Sequence, residues 1–222
     1  MAPIIYALAV VPLVLLATPR MMLAVAAVLA GVVLAFPLLR LSGLVPVEAL
    51  IAAASAIDPE RAASLAFRLR NEDLLLARAA EKLWTGWGGF GRNLIVDPQS
   101  GEYLTISDGA WIITMGVQGL PGYLIEFGLY TLPVFAAWRT RAARAEPLLA
   151  TLALLHATML VDLIPNATLT PLTFMLAGVI LGRVEYLRRA PARPAVAPLG
   201  PGRGRVHVGA PGAAGPGMRT VL

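Results

Sequence analysis

The chain has 222 residues, 58% hydrophobic and only 14% charged, with a mean hydropathy of +0.73. A soluble domain carries charges on about a quarter of its residues, so this composition points away from an ordinary soluble fold and towards the membrane class. The net charge of +5 is nearly all arginine, since Lys82 is the only lysine; the lack of cysteine excludes disulfides, thiolate metal sites and cysteine nucleophiles.

A helix crossing the hydrocarbon core needs about 20 mostly apolar residues. Five segments meet or approach this: residues 3–18, 21–39, 109–138, 147–164 and 168–186. Together they predict an all-α, polytopic membrane helix bundle. The first segment is short, but it has no positive N-terminal flank and another apolar run follows at once, so it reads as a span rather than a signal peptide. Pro12, Pro37, Pro121 and Pro133 are expected to kink or end helices locally, which bundles tolerate.

If the spans alternate, Arg20, Arg139, Arg141, Arg144, Arg183, Arg188 and Arg189 all fall on one side, which the positive-inside rule makes cytoplasmic. Residues 40–108 then form a large extracytoplasmic loop between two N-terminal spans (1–39) and three further spans (109–187). Residues 188–222, rich in Pro, Gly, Ala and Arg and free of acids, are expected to be a disordered basic cytoplasmic tail.

Within the loop, residues 46–56 are apolar and suited to lying along a membrane surface. Residues 59–82 read as a helix: Asp58 fits the N-cap, Pro59 the first helical position and Glu60 the first turn. Leu65, Leu69, Ala79 and Leu83 supply an apolar stripe, while Arg70 and Asp73 share another face. Gly86, Gly88, Gly89 and Gly91, with Gly101 further on, require a loop of unusual backbone angles.

The polar loop concentrates the residues able to do chemistry. Arg68, Arg70, Arg78 and Arg92 offer guanidinium groups that match phosphate oxygens and stay charged at any relevant pH; the plainer reading pairs them with Glu72, Asp73 and Glu81 on a wet helix. The glycines can bring backbone N–H groups near a phosphate, or simply make a tight turn; without a following Lys-Ser/Thr they imply no nucleotide P-loop. Trp84, Trp87 and Trp111 suit either interfacial anchoring or stacking on a sugar face. Asp108, at the start of the third span, fits a general base towards a hydroxyl acceptor or a helix N-cap. Glu126, His156 and Asp162 are the ionisable residues associated with spans, and such residues are functional suspects by default; for His156 packing is the favoured role. His156 and His207 lie far apart, and no metal site is expected.

Three blocks in this loop and beyond carry a family resemblance. They are residues 59–73, ending Arg68-Leu69-Arg70-Asn71-Glu72-Asp73; Gly86-Trp87-Gly88-Gly89-Phe90-Gly91-Arg92-Asn93; and Asp108-Gly109-Ala110-Trp111 with residues 116–122. A weaker block is Asp162 to Ala167 with Pro171 and Leu172. In order and spacing they resemble the O-antigen ligase / O-antigen polymerase family of bacterial polyprenyl-diphosphate glycan transferases, in its exopolysaccharide polymerase-like branch. The resemblance spans about residues 55–185 and covers only the family's C-terminal half, since full members carry ten or more spans.

The resemblance implies a metal-independent, inverting transfer of a glycan from undecaprenyl diphosphate to a hydroxyl acceptor, without a cofactor, at the outer face of the bacterial inner membrane. Arginines of the loop would hold the diphosphate, with Arg70 in the position similar to the family's loop arginine. Arg68, Arg78, Arg92, Glu72 and Trp87 complete the implied substrate site. Asp108 stands where the ligase branch places a histidine, which leaves its role as base or cap open. The implied partners are the lipid-linked glycan, the bilayer, and an N-terminal half or other polysaccharide-assembly proteins; nucleic acid is not among them. A truncated, non-catalytic or partner-dependent component of a polysaccharide export locus is the second reading, and an anion transporter the third.

Overall fold

The computed structural model of the chain describes residues 2–189; the expected disordered tail lies outside the described residues, except for Arg188 and Arg189 at the end of the last helix. The described part is all-helical. In chain order the helices are α1 (Ala2–Leu16), α2 (Pro19–Leu41), α3 (Val47–Ile57), α4 (Pro59–Ala80), α5 (Ala110–Arg139), α6 (Pro147–Asp162) and α7 (Pro171–Arg189), with a 3-10 turn at Ala142–Ala145. No strand occurs among the described residues; Val96 and Tyr103 form an isolated antiparallel bridge.

Local signals explain several boundaries. Thr18 caps α2 by accepting a hydrogen bond from the Met21 N–H, and Pro19 occupies the first turn, where its missing donor costs nothing. Asp58 caps α4 as expected, accepting from the Glu60 N–H at 3.1 Å. Helices α1 and α2 run through Pro12 and Pro37, and α2 continues to Leu41, beyond its predicted end, so that Arg40 lies in its last turn.

Two helices, α2 and α5, are long and apolar enough to cross a membrane; Tyr6–Leu16 and Pro147–Asp162 are apolar but shorter. Helix α7 occupies the fifth predicted segment, yet Arg183, Glu185 and Arg188 interrupt its last turns. Helix α2 packs against α5 and α6, and α5, α6 and α7 pack on one another. One apolar core joins Leu23, Val134, Leu154, Ile180 and Val184. A second joins Val33, Leu75, Leu76, Trp111, Tyr123, Phe127 and Leu160, and so welds α4 to the bundle. The Arg183 guanidinium donates to both Glu146 carboxylate oxygens at 2.8 and 2.9 Å, and Arg188 donates to the Thr140 hydroxyl, closing the end of the bundle beside the first core.

Helix α5 is broken. Gly119 has φ +73° and ψ −177°, and Pro121 follows two residues later. In a continuous helix the Gly116 and Val117 carbonyls would accept from the N–H groups of residues 120 and 121. Here the Leu120 N–H donates instead to the Leu83 carbonyl at 2.7 Å, and Pro121 has no N–H. The vacated carbonyls accept from the loop: Trp87 N–H to Gly116 O at 2.8 Å and Gly88 N–H to Val117 O at 2.9 Å. The glycine loop therefore completes the hydrogen bonding of the broken helix, as an irregular backbone within a bundle requires. Gly86 makes this approach possible: its φ is +65°, and a Cβ there would collide with the Val117 carbonyl.

Candidate functional site

The loop residues separate into two groups, both set by α4. Positions 65, 69, 72, 76, 79 and 83 follow helical steps of four and three, so Glu72 falls on the apolar stripe between Leu69 and Leu76. Glu72 is accordingly buried, together with Asn71, Leu75, Leu76 and Ala79. Its partner is Arg40, also buried at the end of α2: the guanidinium lies 3.8 Å from the Glu72 carboxylate and 2.8 Å from that of the exposed Asp73. Burial is the largest influence on Glu72 and pushes its pKa up from 4.5 to about 7, against the opposing pull of Arg40. The Trp111 indole N–H also favours the carboxylate but falls short of hydrogen-bond geometry, and the indole is wholly buried.

The chain leading into α5 is tied to the same helix. Asn71 accepts from the Ile106 N–H at 3.2 Å, and Arg68 Nε lies 3.4 Å from the Asp108 carboxylate, both side chains about half exposed. Asp108 does not cap α5: Gly109 occupies the cap position and no side chain bonds the first turn. The carboxylate is turned towards α4 instead, because the Ala110 N–H already donates to the carbonyls of Leu163 and Asn166.

The second group surrounds a cavity of about 660 Å³ between the last turns of α4 and the loop after it. Arg78, Lys82 and Arg92 line it, with Glu81 as its one carboxylate among the described residues and Trp87, Phe90 and Tyr103 as its aromatic walls. The Arg78 guanidinium lies 3.3 Å from the centroid of the Trp87 ring, and Lys82 Nζ 4.1 Å from it. Arg78 also donates to Glu81 at 3.0 Å, while the Trp87 indole N–H donates to the Arg78 carbonyl at 2.8 Å. Arg92 Nε donates to the Gly89 carbonyl at 3.1 Å, which folds its guanidinium back over Gly88. Cation–π contact and hydrogen bonds thus hold three cations around one opening, an arrangement that suits an anion with several oxygens.

Gly86, Gly88, Gly91 and Gly101 all adopt positive φ, as the glycine-rich loop requires. Phe90 joins them at φ +64° while 98% exposed, a rare conformation for an aromatic residue. The turn at 97–101 is fixed by Asp97, whose carboxyl is held below its ordinary value by the Gln99 N–H and the Ser100 hydroxyl.

Of the residues singled out from the sequence, Arg78, Arg92 and Trp87 meet at the cavity, joined there by Lys82, Phe90 and Tyr103. Arg68 and Asp108 pair with each other elsewhere on the loop, and Arg70 is exposed with no ion pair among the described residues. Glu72 is turned inward, not towards the cavity. The Trp87 ring is in contact with two cations, Arg78 and Lys82. The sequence carries no signal for Arg40 as the partner of Glu72, because Arg40 stands where the second apolar run gives way to the loop. His156 is wholly buried in α6 and donates from Nε2 to the Tyr130 carbonyl at 2.9 Å, in keeping with a packing role. Glu126 accepts from Tyr130 at 3.1 Å and from Gln118 at 3.3 Å across the α5 break. Comparison with protein-family models, curated proteins and solved structures finds no match to the chain.

Proposed function

We propose that this chain is a multi-pass membrane glycosyltransferase that takes a glycan from undecaprenyl diphosphate to a hydroxyl acceptor, as its resemblance to the O-antigen ligase / polymerase family implies. In this reading α1, α2, α5, α6 and α7 cross the bacterial inner membrane, residues 40–108 face outward, and the arginine-rich ends of α5 and α7 face the cytoplasm. One observation carries the proposal: a cavity of about 660 Å³ in the polar segment gathers Arg78, Lys82 and Arg92. A diphosphate leaves readily once its developing charge is stabilised, and preorganised cations can supply that stabilisation.

In this mechanism Arg78, Lys82 and Arg92 hold the diphosphate oxygens, with Arg78 and Lys82 positioned by Trp87. As the sugar's anomeric carbon bonds to the acceptor oxygen, its bond to the diphosphate breaks, and the acceptor proton passes to a base. Asp108 is the proposed base; it pairs with Arg68 through one carboxylate oxygen, ten helical positions or about 15 Å along α4 from Arg78, so the segment before α5 must move towards the cavity for that role. Arg70, exposed and without an ion pair among the described residues, is proposed to meet the glycan-lipid at the loop surface.

The test is transfer of a labelled lipid-diphosphate glycan by the purified chain in vesicles, with and without co-expressed polysaccharide-assembly proteins. Replacing Arg78 and Arg92 together by Ala should lower lipid-diphosphate binding at least about tenfold, or roughly 1.4 kcal/mol. Arg70→Ala should abolish transfer without changing thermal stability, and Asp108→Asn should stop turnover while retaining binding. Unchanged binding in the double variant would remove the cavity from the reading. Normal binding without transfer under every condition would favour the partner-dependent or non-catalytic alternative.

A further inference from the structure

A second cavity, of about 500 Å³, lies between α1, α6 and the start of α7. One part of its wall is apolar, formed by Val10, Val11, Leu155 and Met159. The rest is polar: Asp162 at the end of α6, Tyr6, and the hydroxyl residues Thr168, Thr170 and Thr173. Asp162 accepts from Asn166 at 3.0 Å, which orients its carboxylate, and Tyr6 interacts with the same group. Among the described residues no Arg, Lys or His lines this cavity, in contrast to the three cations of the loop cavity.

We infer that this groove binds a single-chain amphiphile whose head group donates hydrogen bonds and carries no negative charge, with its chain along Val11 and Leu155 and its head at Asp162. The proposal does not depend on the transferase reading. Three observations select this occupant. The cavity is amphipathic, and the flanking faces of α1 and α6 are open and apolar, with Leu8 71% and Leu155 41% exposed, so a hydrocarbon chain can enter sideways. A carboxylate without a counter-cation repels phosphate and fatty-acid head groups but accepts hydrogen bonds from alcohols. Volume also discriminates: a helix about 10 Å across with a 5.4 Å pitch occupies about 400 Å³ per turn, so the cavity would seat little more than one turn of a partner helix.

The test uses the full chain in phosphatidylcholine nanodiscs at pH 8 with two photo-crosslinking probes of equal chain length, a diazirine monoacylglycerol and a diazirine fatty acid. The monoacylglycerol should label peptides containing Val10–Val11 and Leu155–Met159 at least tenfold more than the fatty acid, and unlabelled monoacylglycerol should compete. Val11→Trp, which fills the groove, should reduce this labelling at least fivefold. Asp162→Ala should bring the two probes within twofold of each other; should that variant fail to fold, Asp162→Asn, which keeps a hydrogen-bonding group but removes the charge, should raise fatty-acid labelling. Equal labelling by both probes in the unaltered chain would overturn the proposal. So would labelling indifferent to Val11→Trp, or protection from both probes together with cross-links to a second polypeptide.

Discussion

Glu72 and Arg40 show how one helical position changes the meaning of a charge. A carboxylate beside Arg70 and Asp73 in sequence looks solvated, yet its place on the stripe of α4 turns it into the bundle, where Arg40 and the edge of Trp111 favour its charge and burial, with Asp73 and Asp108, opposes it. Because its folded pKa is raised to about 7, its contribution to stability is full below about 4.5 and is lost as the pH rises through 7. The displacement corresponds to at most about 3 kcal/mol. Thermal melting of the detergent-solubilised chain should therefore fall between pH 4.5 and 7, and Glu72→Gln should flatten that dependence and raise the melting temperature at pH 8. An unchanged pH profile in Glu72→Gln would mean that the carboxyl is hydrated. Arg40→Met should act in the opposite direction, costing about 3 kcal/mol at pH 8 because it strands a buried carboxylate.

At the scale of elements, the break in α5 is the feature from which the loop takes its position. Glycine and proline at 119 and 121 deprive two carbonyls of their helical donors, and Trp87 and Gly88 supply replacements. The same backbone that satisfies the helix carries the indole that holds Arg78 and Lys82 at the cavity. Gly86→Ala should cost at least about 2 kcal/mol, since it combines a left-handed backbone with a collision against a carbonyl that cannot move away. Hydrogen exchange should then show faster exchange at Trp87, Gly88 and Leu120 together, because their bonds form one joint. Loss of protection at only one of the three would mean that the joint is not cooperative. Gly89→Ala, where a Cβ meets nothing within 4 Å and φ is not positive, is the matched control and should change little.

At the scale of the whole molecule, the two apolar cores and the arginine-rich closure at Glu146–Arg183 give the bundle chemically different ends. The break also bears on span length: Leu120 to Arg139 is 20 residues, about 30 Å of helix, which matches the hydrocarbon core, whereas residues 110–118 pack with α4. The proposed orientation is testable because the sequence has no cysteine. Ser100→Cys should react with a membrane-impermeant maleimide from outside intact cells, and Ala142→Cys only after lysis. The reverse pattern would invert the topology and take the loop cavity away from an extracytoplasmic substrate.

Much of this architecture was legible in the chain itself, and for local reasons. Apolar runs, Asp58-Pro59 and the glycine cluster each act within a few residues, so helices, the α4 cap and the strained loop follow from sequence. Pro12, Pro37 and Pro133 lie inside helices, whereas the backbone break in α5 lies beside Pro121, where Gly119 and a docked loop complete it. Which charged groups meet was decided by tertiary structure. Arg40 reaches Asp73 across 33 positions and Arg68 reaches Asp108 across 40, while Arg78 and Arg92 converge through the turn at Trp87. Periodicity assigns a residue to a face of its own helix, but the element opposite that face is set by long-range packing. That packing separates the exposed Arg70 from the cavity cations and puts Glu72 in the core.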